Sequence, residues 1–485
     1  MRPDWTCIIL LISACNLSPF AAGDCPYKEC QCYGTYIVCA GLGLTSIPFY
    51  NSDATTGYLT LTLDSNQITE ISAGSLPTGL SEISLMDNPI TTIDDNAFDE
   101  LSTTLESLYF SNAQFRRIPD AFLHLNSLQH LNIISSNVLD WNIGAMAHIG
   151  ETLQNLNLEE VGFTTWPVWL TYFKQLNELS LQDNSLSSIP DNAFDILSNN
   201  LTTLTLSNNS FVATPKSLFN LKNLLYLDFE NNKISNLTWL PQPGKLSSLG
   251  LNINQISDAH HLSEVLRPYA NSLNTVILSY NRLTAIPELS FMTKIDTFDL
   301  SYNLISDARA GSVYNTTYVL ELCYNRLRSI PTIFSGLKLL ISMSLSHNII
   351  QAVQGEHIPS WVTSLDLQFN LVTELTDTSF PENSALQFLL LDNNPLVKIS
   401  NLALKNLGSL NNLSLQHTKL IRLPLGLAYL TSILYLDLRN NPGLVCTCLE
   451  KSLKGKLTSN VEISGDCGNI SIYDFFAILS PNCPQ

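Results

Sequence analysis

Along the chain, apolar residues at positions one, four, six and eleven of an eleven-residue stretch alternate with polar ones and enclose an asparagine at position nine. Residues Leu273 to Leu283 (LNTVILSYNRL) show the pattern complete. The asparagine slot returns at Asn66, Asn88, Asn184, Asn209, Asn232, Asn254, Asn281, Asn303, Asn325, Asn348, Asn370, Asn394 and Asn441, and is filled by Ala113, Ser136, Val161 and Thr418 in four further stretches. Slots lie 22 to 27 residues apart, so seventeen repeats, numbered 1 to 17 in chain order, cover roughly residues 58 to 444. Period-two alternation at the centre of each predicts a short strand. The polar close predicts a bend, and the remainder a return to the next strand.

This is the pattern of a leucine-rich repeat. No repeat can bury its own leucines, so the chain must stack them into an α/β solenoid, a horseshoe with a parallel concave sheet of about 17 repeats. An asparagine amide carries both a donor and an acceptor and can satisfy the inward-facing backbone groups of the bend. Alanine and valine cannot, which predicts looser bends at Ala113 and Val161. Slots 113, 161 and 209 stand 48 residues apart, as a duplicated two-repeat block would place them. Pro119, Pro190, Pro287 and Pro331 fall at the return, where a missing N–H does not harm the sheet. Asp258 to Leu266 has the spacing of a short helix ended by Pro268, with His260 and His261 a solvated pair rather than metal ligands. Trp166 and Trp169 read as packing on the convex side.

Residues 1–23 read as a signal peptide, with Arg2 ahead of an apolar run too short to span a bilayer and small residues before Asp24. The remaining boundaries are a cysteine-rich cap at 24–50, repeats at 51–444 and a second cysteine-rich cap at 445–485. Eight of the nine cysteines after the leader cluster in these caps, as C-x4-C-x-C-x6-C and C-x-C-x18-C-x15-C, which implies disulfides in an oxidising compartment. Spacing alone allows three connectivities per cluster. The ninth, Cys323, is expected to be unpaired.

Cys25-Pro-Tyr-Lys-Glu-Cys-Gln-Cys32 running into Gly43-Leu-Thr-Ser-Ile-Pro48 resembles the N-terminal cap of extracellular leucine-rich repeat proteins such as Slit, chondroadherin and the variable lymphocyte receptors. Asn441-Pro-Gly-Leu-Val-Cys-Thr-Cys448 resembles their C-terminal cap. The resemblance implies pairing of Cys25 with Cys32, Cys30 with Cys39, Cys446 with Cys467 and Cys448 with Cys483, and a secreted protein of the extracellular space or matrix. It says little about function, because that family holds organisers, guidance cues, receptors and carriers.

A formal charge of −18 argues against nucleic acid, and no basic run suggests an anionic membrane. Phosphate-loop, zinc-protease, hydrolase-elbow and EF-hand motifs are absent, so no enzyme, cofactor or metal centre is expected. Ser346, His347 and Asp366 fall on neighbouring strands, but polar residues on a long sheet meet by chance and nothing marks an oxyanion hole.

Binding is the better expectation. Positions three, five, seven and eight should reach the concave face. Through all repeats they carry fourteen acids, Asp64, Glu82, Asp87, Glu159, Glu160, Glu178, Asp183, Asp228, Glu230, Asp299, Glu321, Asp366, Asp392 and Asp437, against the single base Arg439. That skew predicts a basic extracellular protein or peptide as partner, or weakly held divalent cations. Repeats 10 to 14 place Tyr280, Tyr302, Tyr324, His347 and Phe369 at position eight, and strands ~4.8 Å apart would let neighbouring rings stack into a continuous apolar ridge. Asn200, Asn208, Asn236, Asn315, Asn412 and Asn469 open glycosylation sequons. Asn208 and Asn412 would block the concave face, which leaves about Leu273 to Leu396 clear. The ligand is therefore expected on the five rings with Asp299, Glu321 and Asp366, ahead of the ringless cluster Glu159, Glu160, Glu178, Asp183, Asp228 and Glu230. A structural scaffold or noncatalytic subunit is the alternative function.

Overall fold

The structure, a computed structural model, describes residues 25–51, 57–457 and 461–480. The expected leader and Cys483 lie outside these residues. The described residues form two compact units, one within residues 1–163 and 167–184, the other within 164–166 and 185–485.

The first unit opens on an antiparallel hairpin, Gln31–Tyr33 with Tyr36–Val38. Its second strand pairs in parallel with Thr60–Thr62 of repeat 1, placing Ile37 beside Leu61. Parallel pairing then continues in constant register, position three against position three, through repeats 2 to 6. The second unit repeats this arrangement from Thr203–Thr205 of repeat 7 to Tyr435–Asp437 of repeat 17. It ends with Glu462–Ser464 of the C-terminal cap added alongside repeat 17. This is the α/β leucine-rich repeat solenoid that the periodicity requires.

The leucines behave as stacking demands. Leu278, Leu300, Leu322, Leu345 and Leu367, at position six of repeats 10 to 14, are all fully buried. The position-nine asparagines are buried with them, Asn184 alone half-buried, and their amides tie neighbouring repeats together, or repeat 1 to the N-terminal cap at Asn66. Asn303 Nδ2 donates to the carbonyls of Leu278, Leu300 and Ser301 at 3.0, 3.2 and 3.1 Å, while its Oδ1 accepts the Leu283 N–H at 3.0 Å. Every inward backbone group of the bend is thereby met.

The bends at Ala113 and Val161 are not looser. Their position-eight residues, Asn112 and Glu160, have φ of 57° and 53°, within the range of the other repeats. Flanking repeats impose the bend, and the Ser136 hydroxyl accepts the Ala113 N–H at 3.1 Å.

Returns run through 3-10 turns opened by proline: Pro119 before Asp120–His124, Pro215 before Lys216–Asn220 and Pro331 before Thr332–Gly336. In repeat 9 the return is an α-helix, Ala259–Leu266, capped by Asp258 accepting the His261 N–H at 2.9 Å and followed by Pro268. His260 and His261 are exposed, as a solvated pair should be. Trp169 is buried in the first unit, stacked on Trp141 at 5.2 Å, and Trp166 is buried in the second, edge-on to Phe194 at 5.3 Å.

Disulfides join Cys25 to Cys32, Cys30 to Cys39 and Cys446 to Cys467. Cys448 is also disulfide-bonded. Cys323 is free and half-buried, and burial followed by the nearby Glu321 charge pushes its thiol pKa up.

Candidate functional site

Position eight is where structure adds most to sequence. In all seventeen repeats the residue there is left-handed, with φ from 48° at Ser135 to 60° at Asn440. That region suits Asn, Asp and Gly, and holding another L-residue in it costs on the order of 1 kcal/mol or more. Most repeats answer with Asn, Asp or Ser. Repeats 9 to 14 instead hold Ile253, Tyr280, Tyr302, Tyr324, His347 and Phe369 there, at φ of 52° to 55°.

The five rings form one column. Successive centroids stand 3.9, 4.0, 3.9 and 4.1 Å apart, with planes 8° to 11° from parallel. Hydrogen bonding to the Tyr280 hydroxyl, then burial and a similar bond to Tyr324, raises the Tyr302 phenol pKa well above its ordinary value. Each interior ring covers its neighbours' faces. What the column offers solvent is therefore a row of ring edges and hydroxyls, and only Tyr280 and Phe369 keep a face not covered by a ring of the column. Tyr280 is 48% exposed and Phe369 45%. Ring edges carry the positive rim of the π quadrupole, so the column presents hydroxyls and ring edges along its length rather than an aromatic platform.

The acids beside it are partly committed. Position-five aspartates accept the backbone N–H two residues on: Asp299 from Ser301 at 3.0 Å, Asp366 from Gln368 at 2.9 Å, Asp228 from Glu230 at 2.8 Å and Asp437 from Arg439 at 3.1 Å. Half the reason for an acid at position five is thus local, because the position-seven N–H needs an acceptor. Glu321 is half-buried in the same row. Desolvation raises the Asp366 pKa, opposed by the Gln368 N–H. Asp392 is almost fully buried and accepts from the Ser414 hydroxyl, the Gln416 N–H and the Gln368 amide. Asp437 is neutralised by Arg439 at 2.6 Å.

Ser346, His347 and Asp366 do approach one another but form no relay. The Ser346 hydroxyl bonds Asp366 directly, and the His347 ring is clamped between Tyr324 and Phe369.

The rival acidic cluster is divided between the units. Glu159, Glu160, Glu178 and Asp183 belong to the first, Asp228 and Glu230 to the second. Burial, followed by the Glu230 charge, pushes Asp228 up to about 6 and outweighs the bond from the Glu230 N–H. Its carboxylate lies over Gly250, where an added Cβ would come within 2.5 Å of Asp228 Oδ1. The glycine in mid-strand was the sequence signal for that close approach.

Of the sequons, Asn315, Asn236 and Asn469 are exposed, and Asn315 precedes the strand Val319–Glu321 as expected. Asn200 lies in the turn before the strand Thr203–Thr205. Asn208 is half-buried at position eight, its Oδ1 accepting from Asn231 at 2.6 Å. Asn412 sits on the open face, in register between the exposed rings of Phe388 and Tyr435.

Buried leucines, an asparagine ladder and parallel strands in constant register define an extracellular leucine-rich repeat protein with disulfide-bonded caps. The family model described as Leucine rich repeat matches residues 78–139 and 199–256. Bovine keratocan is 31% identical over 60% of this chain and 73% of its own length, and the chain belongs to the leucine-rich repeat family. Human podocan-like protein 1 is 28% identical over 69% of the chain, which spans 65% of that relative, and chicken Tsukushi 29% identical over 45%, spanning 55% of it. Among solved structures, the Drosophila Toll–Spatzle complex aligns at a TM-score of 0.64 and 19% identity, covering 85% of this chain and 62% of the matched chain. A leucine-rich repeat protein of Leptospira interrogans aligns at 0.53 and 21%, covering 76% and 92%. No helix among the described residues is long and apolar enough to cross a membrane.

Proposed function

We propose that this chain is a noncatalytic binding protein that engages a basic extracellular protein or peptide along the ring column of repeats 10 to 14. The observation that carries the reading is the column itself: five consecutive bulky rings held at positive φ, in the slot that other repeats give mostly to small polar residues. Such backbone strain persists where the surroundings fix it and concentrates at functional positions. Asp299, Glu321 and Asp366 supply negative charge beside the rings. The partner gains hydrogen bonds to the tyrosine hydroxyls and desolvates the ring edges, while charge governs how fast it arrives.

The test uses the secreted protein as bait in its native extracellular fluid, followed by affinity measurement on whatever partner is recovered. Tyr302→Ala/Tyr324→Ala should weaken binding by ~30-fold or more per ring, the loss expected for central anchors. Glu159→Ala/Glu178→Ala should leave it unchanged. The reverse outcome, an intact tyrosine double mutant beside a weakened glutamate one, would put the site on the other acidic cluster.

A further inference from the structure

Binding leaves one property of the column unused. Its first three members are phenols, and they are packed face to face. The Tyr280 and Tyr302 centroids are 3.9 Å apart with planes 8° from parallel, and Tyr302 and Tyr324 are 4.0 Å apart at 9°. These are van der Waals separations for carbon, so the ring atoms of adjacent phenols already touch. Tyr280 and Tyr324 are 48% and 39% exposed, open to a diffusing oxidant. Tyr27 and Tyr50 make a useful contrast: their centroids are 6.2 Å apart, their planes 63° from parallel, and Tyr27 is fully buried.

The geometry points to an oxidative cross-linking site in which Tyr302 couples to Tyr280 or Tyr324, using hydrogen peroxide through a haem peroxidase. Each of the two tyrosines gives up one electron and its phenolic proton to become a phenoxyl radical. The radicals join through the carbons ortho to their oxygens, forming one C–C bond. Two ring hydrogens then leave those carbons and the phenolic oxygens are reprotonated, restoring both rings. The sum is loss of two electrons and two protons, which reduce one peroxide to two waters. Stacking favours the intramolecular product, because a radical on Tyr302 lies in contact with a second oxidisable phenol, and once the peroxidase oxidises that neighbour the two radicals couple before either meets a second molecule. His347 and Phe369, next in the column, are not phenols, so coupling stops at Tyr324. The bond would join adjacent repeats of the sheet.

The experiment treats the purified full-length protein, dilute and free of partner, with a haem peroxidase and limiting peroxide. Dityrosine fluorescence is followed, and the linked peptides are mapped by mass. The expected result is a monomer in which the peptide bearing Tyr302 is joined to that bearing Tyr280 or Tyr324, with the loss of two hydrogens. Tyr302→Phe keeps the ring and the stack but removes the shared phenol, so this linkage should disappear, whereas Tyr33→Phe should leave it unchanged. Linkages that map elsewhere, that survive at Tyr280 in Tyr302→Phe, or that form only between molecules would overturn the proposal. Because the partner is absent, the outcome is independent of the binding site proposed above.

Discussion

Asp228 shows how a single carboxylate on the open face is held against its own solvation preference. The bond from the Glu230 N–H favours the charged form, but burial and the Glu230 charge win, and the pKa rises to about 6. A carboxyl whose folded pKa is raised is bound more tightly by its proton in the folded state. Its contribution is therefore most favourable below the unfolded value near 3.9 and is lost as pH climbs through about 6. At neutral pH the ionised group costs the fold on the order of 2–3 kcal/mol. Asp228→Asn keeps an acceptor for the Glu230 N–H and removes the charge, so it should melt higher than the wild type at pH 7.5. That advantage should shrink as pH falls below 6 and vanish near pH 4, read by calorimetry across the range. An equal advantage at both ends would show that the charge is not the cause. The neighbouring Tyr226 phenol is also pushed up to about 12, by burial and then by the Asp228 charge, and stays protonated throughout.

The strand, bend and return of each repeat were legible because each rests on a residue type that no other position could use. Asparagine at nine, leucine at four and six, and proline opening the 3-10 turn all announce their place in the chain. Left-handed φ at position eight was not legible. Asn, Asp and Ser in the first repeats hint at it, but Tyr, His and Phe in the later ones conceal it, since nothing about a tyrosine suggests φ of 53°. The ring column and its stacking follow from the strand spacing, whereas the left-handed backbone that holds the rings, and the edges and hydroxyls they turn outward in place of an apolar ridge, do not. The asparagine ladder gives a sharp element-scale prediction. Asn303→Ala leaves the Leu283 N–H without its acceptor and takes one of two amide donors from each of the Leu278 and Leu300 carbonyls, which keep Asn281 and Asn325, at a cost of roughly 1–3 kcal/mol in denaturant unfolding. Ala113 and Val161 show that a repeat can lack the amide, and at the first of these the residue's own N–H is met by the Ser136 hydroxyl of the next repeat.

Near the C-terminal cap the lock is ionic. Glu450 is 1% exposed, accepts the Thr447 N–H at 2.7 Å and pairs with Arg422 of the preceding return at 2.6 Å. Arg422 is 42% exposed, so solvent screens the pair and its direct worth is modest. Removing only the arginine is worse than losing that worth, since a buried carboxylate is left without its cation. Arg422→Ala should destabilise by about 2 kcal/mol, and Arg422→Met/Glu450→Gln should recover part of it, because the second change removes the stranded charge.

Across the whole molecule, a net charge of −18 spread over stacked repeats keeps the chain soluble, but each unit still depends on what covers its terminal leucines. At the N-terminal end Ile37 packs in register beside Leu61, and Ile37, Leu61 and Leu63 are all fully buried. At the other end Leu436 pairs with Ile463, and Gly465 passes so close to the backbone of Leu438 that a Cβ there would come within 2.8 Å of it. Neither covering segment is large, so its value lies less in its own burial than in keeping water and other chains off the leucines behind it. Uncovered, those leucines would lie at the edge of a parallel sheet with free N–H and C=O groups, a template for pairing with a second copy. Truncation that removes either segment, through Cys39 or after Val445, should therefore lower the melting temperature and produce concentration-dependent association in sedimentation. Truncated protein that stayed monomeric with unchanged melting would show that the outermost repeats cover themselves and that the cysteine-rich ends serve another purpose.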